Sequence, residues 1–204
     1  YVVDSEPGSY LYCGLSRDAS KEEILERINN NTITDILNKI EVKAGDVVMV
    51  KAGTIHAIGA GVFICEIQQN SNCTYRMYDY DRREKFGNPR ELHVKKALDV
   101  VDNHKYIKDN KTEVVIARNE HFTEERLVQC KYFEVYKYDV NDEAKITVDE
   151  ASFVSVLFIN GSGTIETDDY EKTMEFKAGD SFFVSAGLRS IIIKGQATMV
   201  VTRV

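Results

Sequence analysis

Two side chains of this 204-residue chain have a type and setting suited to chemistry, His56 and Arg76. His56 closes the run Lys43-Ala44-Gly45-Asp46-Val47-Val48-Met49-Val50-Lys51-Ala52-Gly53-Thr54-Ile55-His56. Two turn glycines there frame a short apolar stretch and leave an imidazole at the rim of a strand. Such an imidazole can ligate a metal, or it can be a core histidine bonded to a backbone carbonyl, and the run alone supports both. Arg76, in Thr74-Tyr75-Arg76-Met77-Tyr78-Asp79-Tyr80-Asp81-Arg82, can steady developing negative charge or anchor an anion. It can equally pair at the surface with Asp79 or Asp81. Glu66 reads as an inward strand residue paired with an arginine, and Gln68 and Gln69 as wall residues. His93 begins a helix, and His104 and His121 lie in polar stretches; none has ligand spacing to another candidate, so all three read as solvent-facing. Arg82, Arg90, Lys95 and Lys96 read as solvated surface.

The His56 run occurs a second time, as Lys177-Ala178-Gly179-Asp180-Ser181-Phe182-Phe183-Val184-Ser185-Ala186-Gly187-Leu188-Arg189-Ser190. Self-similarity at a fixed separation marks repeated architecture, so two β-rich modules from a duplication are expected. The second copy ends in Ser190 where the first has His56. Chemistry therefore belongs to the first module.

The elements that must position these residues follow from turn signals and periodicity. Short β-branched and aromatic runs predict strands at Val47–Val50, Val62–Ile67, Val114–Ala117, Tyr132–Tyr138, Phe153–Ile159, Ser181–Val184 and Ser190–Ile193. Tyr78 to Asp81 alternate as a strand does. Asn160-Gly161-Ser162-Gly163 predicts a hairpin turn between two further strands. Ser20-Lys21-Glu22-Glu23 is a capping box, with Ile24, Leu25 and Ile28 as the apolar stripe behind it. Short helices are also expected at Thr34–Lys39 and at Glu91–Val101, the latter with Leu92, Ala97, Leu98 and Val101 as its apolar side. The polar stretch Asp102–Lys111 reads as the link between modules.

A net charge of −7 argues against a nucleic-acid partner, which needs a broad basic face. No apolar run approaches the roughly 20 residues that span a bilayer. Cys13, Cys65, Cys73 and Cys130 show no metal-type or disulfide-type spacing and read as free thiols of a reducing cytoplasm. Tyr1 opens directly into an apolar run, so the chain is expected to have lost residues upstream.

Gly45, five residues, then Lys51-Ala52-Gly53-Thr54-Ile55-His56 resembles the second sequence motif of the cupin superfamily, with Lys51 where proline is usual. Joined to Glu66-Ile67-Gln68-Gln69-Asn70-Ser71, to Thr74 through Arg82, and to Gly87-Asn88-Pro89-Arg90-Glu91-Leu92-His93, it is similar to the type I phosphomannose isomerases from Tyr1 to about Val101. The C-terminal module resembles that family's closing cupin domain more loosely. The resemblance implies a mainly β chain of two cupin-like β-barrel or jelly-roll modules, a bicupin. One module, residues 1–105, carries a helical insertion at about 18–40, and the other, residues 106–204, has no metal ligand.

The same resemblance implies zinc-dependent interconversion of mannose 6-phosphate and fructose 6-phosphate by proton transfer through a cis-enediol. His56 would be a ligand of one divalent ion and Arg76 the catalytic arginine, acting on a small-molecule sugar phosphate in the cytoplasm with no nucleic-acid or membrane partner. The family's other metal ligands, a glutamine-and-histidine motif and a glutamate, lie upstream of the position of Tyr1, as do its catalytic lysines. The chain therefore reads as an N-terminally truncated form of the enzyme. The alternative is a metal-free cupin that binds a sugar or serves as a regulatory module. A cupin dioxygenase wants several histidines and a carboxylate on iron, and His56 alone gives it no support.

Overall fold

The computed structural model describes residues 1–71, 73–80, 82–108, 114–167 and 170–204. The chain forms two compact units, Tyr1–Lys108 and Asp109–Val204. Strands predominate over the chain as a whole, as the sequence predicts, and among the described residues every helix falls in the first unit.

In the first unit, β2 (Tyr10–Leu15) is the centre of a three-stranded antiparallel sheet, flanked by β3 (Leu37–Glu41) and β4 (His56–Ile58). β1 (Val2–Ser5) pairs separately with β5 (Val62–Ile64). Val2, Leu11, Cys13 and Val42 pack under these strands. Between β2 and β3 lie helix α1 (Lys21–Asn29) and a 3-10 turn (Ile33–Ile36). Their Ile24, Ile28, Ile33 and Ile36 close a second core with Leu15 and Val101. A short helix α2 (Val94–Val100) contributes Ala97, which is buried.

Several sequence expectations are corrected here. Ser20 caps α1 by accepting the Glu23 amide at 3.1 Å, but the Glu23 carboxylate turns away to Arg17 and Arg27, so half of the capping box is used. Leu25 is exposed, because α1 buries a narrow stripe. The helix expected at Thr34–Lys39 is a 3-10 turn that gives way to β3. Leu92 precedes α2 and is exposed. Val47–Val50 and the segment from Tyr78 to Tyr80 form no strand, and Asp81 lies outside the described residues. Part of the expected link, residues 109–111, also lies outside them.

The second unit is one antiparallel system in the order β11-β10-β13-β8-β7-β6, with β12 also on β10 and β9 also on β13. Its outer strands are β6 (Val114–Arg118), β7 (Phe122–Gln129), β8 (Glu134–Val140) and β9 (Glu143–Val148). The expected hairpin at Asn160–Gly163 is absent: β10 runs unbroken from Val154 to Thr167 and pairs along its length with β13 (Arg189–Arg203). β10 changes its other partner midway, from β12 (Ser181–Val184) to β11 (Tyr170–Lys177). Gly161 lies at the bend, with φ of 88° and room for no Cβ, which would meet the Gln196 carbonyl at 1.9 Å. A glycine in mid-strand thus lies where one strand exchanges one neighbour for another along its length. The interior is filled by Phe158 stacked on Phe176 at 3.7 Å, with Ile146, Ile165, Ile191, Ile193 and Met199 around them.

The repeated run adopts one geometry twice. Gly45 and Gly179 have φ of 92° and 90°. The Asp46 and Asp180 carboxylates each accept the backbone amide three residues back, Lys43 and Lys177, at 2.9 Å. Gly45 and Gly179 each donate at 2.8 Å to a strand carbonyl, that of Val2 and of Phe158.

Candidate active site

The first unit holds a cleft of about 860 Å3, bounded by β2, β4 and the irregular segment that follows β5. His56, the first residue of β4, pairs with Cys13 of β2 in the sheet and lines this cleft, exposed. The turn before it is closed by the Thr54 amide on the Lys51 carbonyl at 3.0 Å, so lysine replaces the usual proline without loss of the turn. Gly53, at φ of 84°, sits so close to the end of α2 that an added Cβ would lie 2.7 Å from the Val100 carbonyl. Its own carbonyl accepts the Asp102 amide at 2.9 Å. His56 is therefore anchored from both flanks.

The His56 ring bonds the Thr54 carbonyl through Nδ1 at 3.0 Å. A carbonyl acceptor fixes the proton on Nδ1 and leaves Nε2 as the free lone pair, the posture of a metal-ligating histidine. It is also a posture that the sequence allowed for a bland histidine. Among the described residues no three His, Cys, Asp or Glu side chains converge as metal donors. A structural or catalytic zinc takes three or four protein ligands. The described residues thus offer one suitable donor and do not complete a metal centre.

Arg76 lines the same cleft, half-buried. Asp79, expected as its partner, is engaged elsewhere: this buried carboxylate accepts from Arg82 Nη2 at 2.8 Å and Arg90 Nε at 2.7 Å, with Arg90 Nη2 closing the fork. The hydrogen bonds from Arg90 hold the Asp79 carboxyl down to about 2, against the opposing effect of burial and with Arg82 adding to them. Among the described residues no carboxylate pairs with Arg76, whose Nη1 donates to the Glu91 carbonyl at 3.2 Å. A guanidinium that keeps its charge uncompensated beside a cleft is suited to an anion.

Three further residues correct or extend the sequence reading. Glu66 is exposed on the cleft wall and makes no ion pair among the described residues, since the arginines it was expected to meet are on Asp79 or on backbone. His93 is not solvent-facing: 26% of its side chain is exposed, and its Nδ1 accepts the Arg76 amide at 3.3 Å. Tyr10 and Tyr12, 5.3 Å apart, and Tyr78 and Tyr80, 4.9 Å apart, give the cleft an aromatic wall. The strand alternation Tyr10-Leu11-Tyr12 carried the signal for the first pair; Tyr78 and Tyr80 also alternate as a strand does, but they lie in an irregular segment. His104 and His121 are exposed, each bonded to an aspartate. All four cysteines are free.

The family profile described as "Mannose-6-phosphate isomerase, cupin domain" matches residues 123–204. YvyI of Bacillus subtilis strain 168, provisionally named a mannose-6-phosphate isomerase, is 38% identical over 209 residues, covering 100% of this chain and 63% of its own length. The mannose-6-phosphate isomerase ManA of the same organism is 31% identical over 212 residues, covering 99% of this chain and 62% of its own. The crystal structure of the mannose 6-phosphate isomerase from Bacillus subtilis superposes with a TM-score of 0.89 at 35% identity, over 100% of this chain and 63% of that one. The chain is thus similar along its whole length to proteins named mannose-6-phosphate isomerases, and its second unit matches their cupin domain. It spans about 63% of the length of these phosphomannose isomerase relatives. Within the family frame, the profile match falls on the second unit, whereas the cleft, His56 and Arg76 lie in the first. Among the described residues no helix is long and apolar enough to cross a membrane.

Proposed function

We propose that this chain forms the greater part of a phosphomannose isomerase, interconverting mannose 6-phosphate and fructose 6-phosphate in the cytoplasm. The observation that carries the reading is the pairing in one cleft of a ring-locked histidine and an arginine that meets no carboxylate among the described residues, within a chain similar along its length to named mannose-6-phosphate isomerases. The reaction breaks the C2–H bond of the aldose, leaves its electron pair in a C1–C2 cis-enediolate, passes the O2 hydroxyl proton to O1 and returns a proton to C1 as the C2 carbonyl forms, so no outside oxidant is needed. Negative charge grows on the sugar oxygens during that step, and a fixed guanidinium is the device that lowers its cost. Arg76 takes this role. Glu66 is the cleft carboxylate without an ion-pair partner among the described residues, hence the group here best able to move a proton.

His56 would serve as one ligand of a divalent ion, zinc in our reading, which when bound polarises sugar oxygens or organises the groups around them. The remaining ligands would come from outside the described residues, and no step is assigned to the ion here.

The test is a coupled assay of mannose 6-phosphate conversion with added zinc, run on this chain and on a protein spanning the full length of the relatives. Turnover in the longer protein that falls by a factor of about 10² to 10³ in Arg76→Lys supports the reading, since lysine keeps charge but not the guanidinium fork. Loss of turnover and of bound zinc in His56→Ala supports the ligand assignment. That the described residues offer no complete donor set leaves room for one other reading, a metal-free sugar-binding or regulatory cupin. Binding of fructose 6-phosphate without turnover in either protein would select that one.

A further inference from the structure

His93 stands at the start of α2, where a side chain ordinarily accepts an amide of its own helix. It does not do so: no side-chain capping bond forms, and the ring turns out of the helix to accept the Arg76 amide at Nδ1, 3.3 Å away. The contact is reciprocated, because the His93 amide donates to the Arg76 carbonyl at 2.7 Å. Two residues earlier the Glu91 carbonyl receives Arg76 Nη1 at 3.2 Å. Residues 91–93 thus grip Arg76 at three points, amide, carbonyl and guanidinium. The grip matters because the segment carrying Arg76 forms no strand and has no ladder of its own to hold it. Tyr75 lies against the imidazole at 6.2 Å, and Glu91 Oε2 is 3.9 Å from Nε2.

We propose that His93 is a positioning residue for the isomerase reaction: its unprotonated Nδ1 fixes the Arg76 backbone and so aims the guanidinium into the cleft. The proposal rests on the isomerase reading only for its kinetic consequence. An N–H can donate only to a lone pair, so the geometry requires the tautomer with its proton on Nε2. His93 touches no substrate in this role and acts through Arg76.

The test compares His93→Asn, whose side-chain oxygen can take the place of Nδ1, with His93→Leu, which offers no acceptor. In His93→Leu the Arg76 amide should exchange with solvent about tenfold faster, the loss of one hydrogen bond. The kcat of the full-length isomerase should drop on the order of tenfold with KM little changed, since misaiming a catalytic group costs rate more than binding. His93→Asn should restore both. Equal exchange and equal kcat in His93→Leu and wild type would overturn the proposal, as would failure of His93→Asn to rescue either. Should His93→Leu fail to fold, the nitrogen-15 spectrum of the wild-type ring decides: a proton found on Nδ1 overturns the proposal, a bare Nδ1 supports it. Faster exchange in His93→Leu restored in His93→Asn, with no turnover in any protein including wild type, would leave the grip standing and remove the isomerase reading instead.

Discussion

Asp79 is a buried carboxylate forked between Arg82 and Arg90, and its charge is bound up in the shape of the cleft wall. Its carboxyl is held down to about 2 in the folded chain, against an ordinary aspartate value of about 3.9. A depressed folded value means that the fork's contribution to stability is complete above the unfolded value and fades as pH falls from about 4 through about 2. Asp79→Asn should therefore be less stable than wild type at neutral pH, with the gap closing in that acid window; unfolding curves across pH check this. A gap that stays constant would show that shape, and not charge, is what Asp79 provides. His56 and Arg76 were singled out in the sequence through the resemblance to the phosphomannose isomerases, since their side-chain types alone left bland roles open, and both line one cleft. The roles of Asp79, Glu66 and His93 were not legible there, since each depends on the path of an irregular segment, and the one alternation read there, from Tyr78 to Asp81, forms no strand among the described residues.

At the level of elements, the two copies of the repeated run separate what a local sequence dictates from what its neighbours decide. The glycine turns agree to within a few degrees because backbone sterics and the aspartate bond are local. The strands after them disagree. Ser181–Val184 becomes a strand because Val154–Leu157 lies alongside to pair with it, whereas Val47–Val50 has no such ladder among the described residues. Gly53 and Gly187 offer a measurable form of the same contrast. Both have positive φ, but only Gly53 is pressed against backbone. Gly187→Ala should cost about 1 kcal/mol from conformation alone. Gly53→Ala should cost on the order of 2 kcal/mol or more, because Val100 or the turn before His56 must also move. Denaturant midpoints of the two variants check the difference, and equal shifts would mean that the α2 contact yields freely. The hairpin expected at Asn160–Gly163 fails for a similar reason: Asn-Gly reads as a turn locally, but pairing with the long strand β13 continues on both sides of Gly161.

For the whole molecule, the repeat, the mainly β character and the division into two compact units leave each unit with cores of its own. Removing Phe158 opens a void in the second unit's core worth about 3–5 kcal/mol. In Phe158→Ala, amide protection should fall chiefly within residues 114–204. Equal loss in β2 and β4 would mean that both units melt as one cooperative body.

The filled interior of the second unit also bears on descent. Ser190, the counterpart of His56, is buried. An ancestor drifting back towards a ligand there would have to force an imidazole into occupied space before any ion could reward the change. Making room there means removing buried side chains, and that step weakens the fold on its own. The difference between the two runs thus works as a ratchet: with the second interior packed, substitutions can refine the open cleft of the first unit with little prospect of gaining a twin.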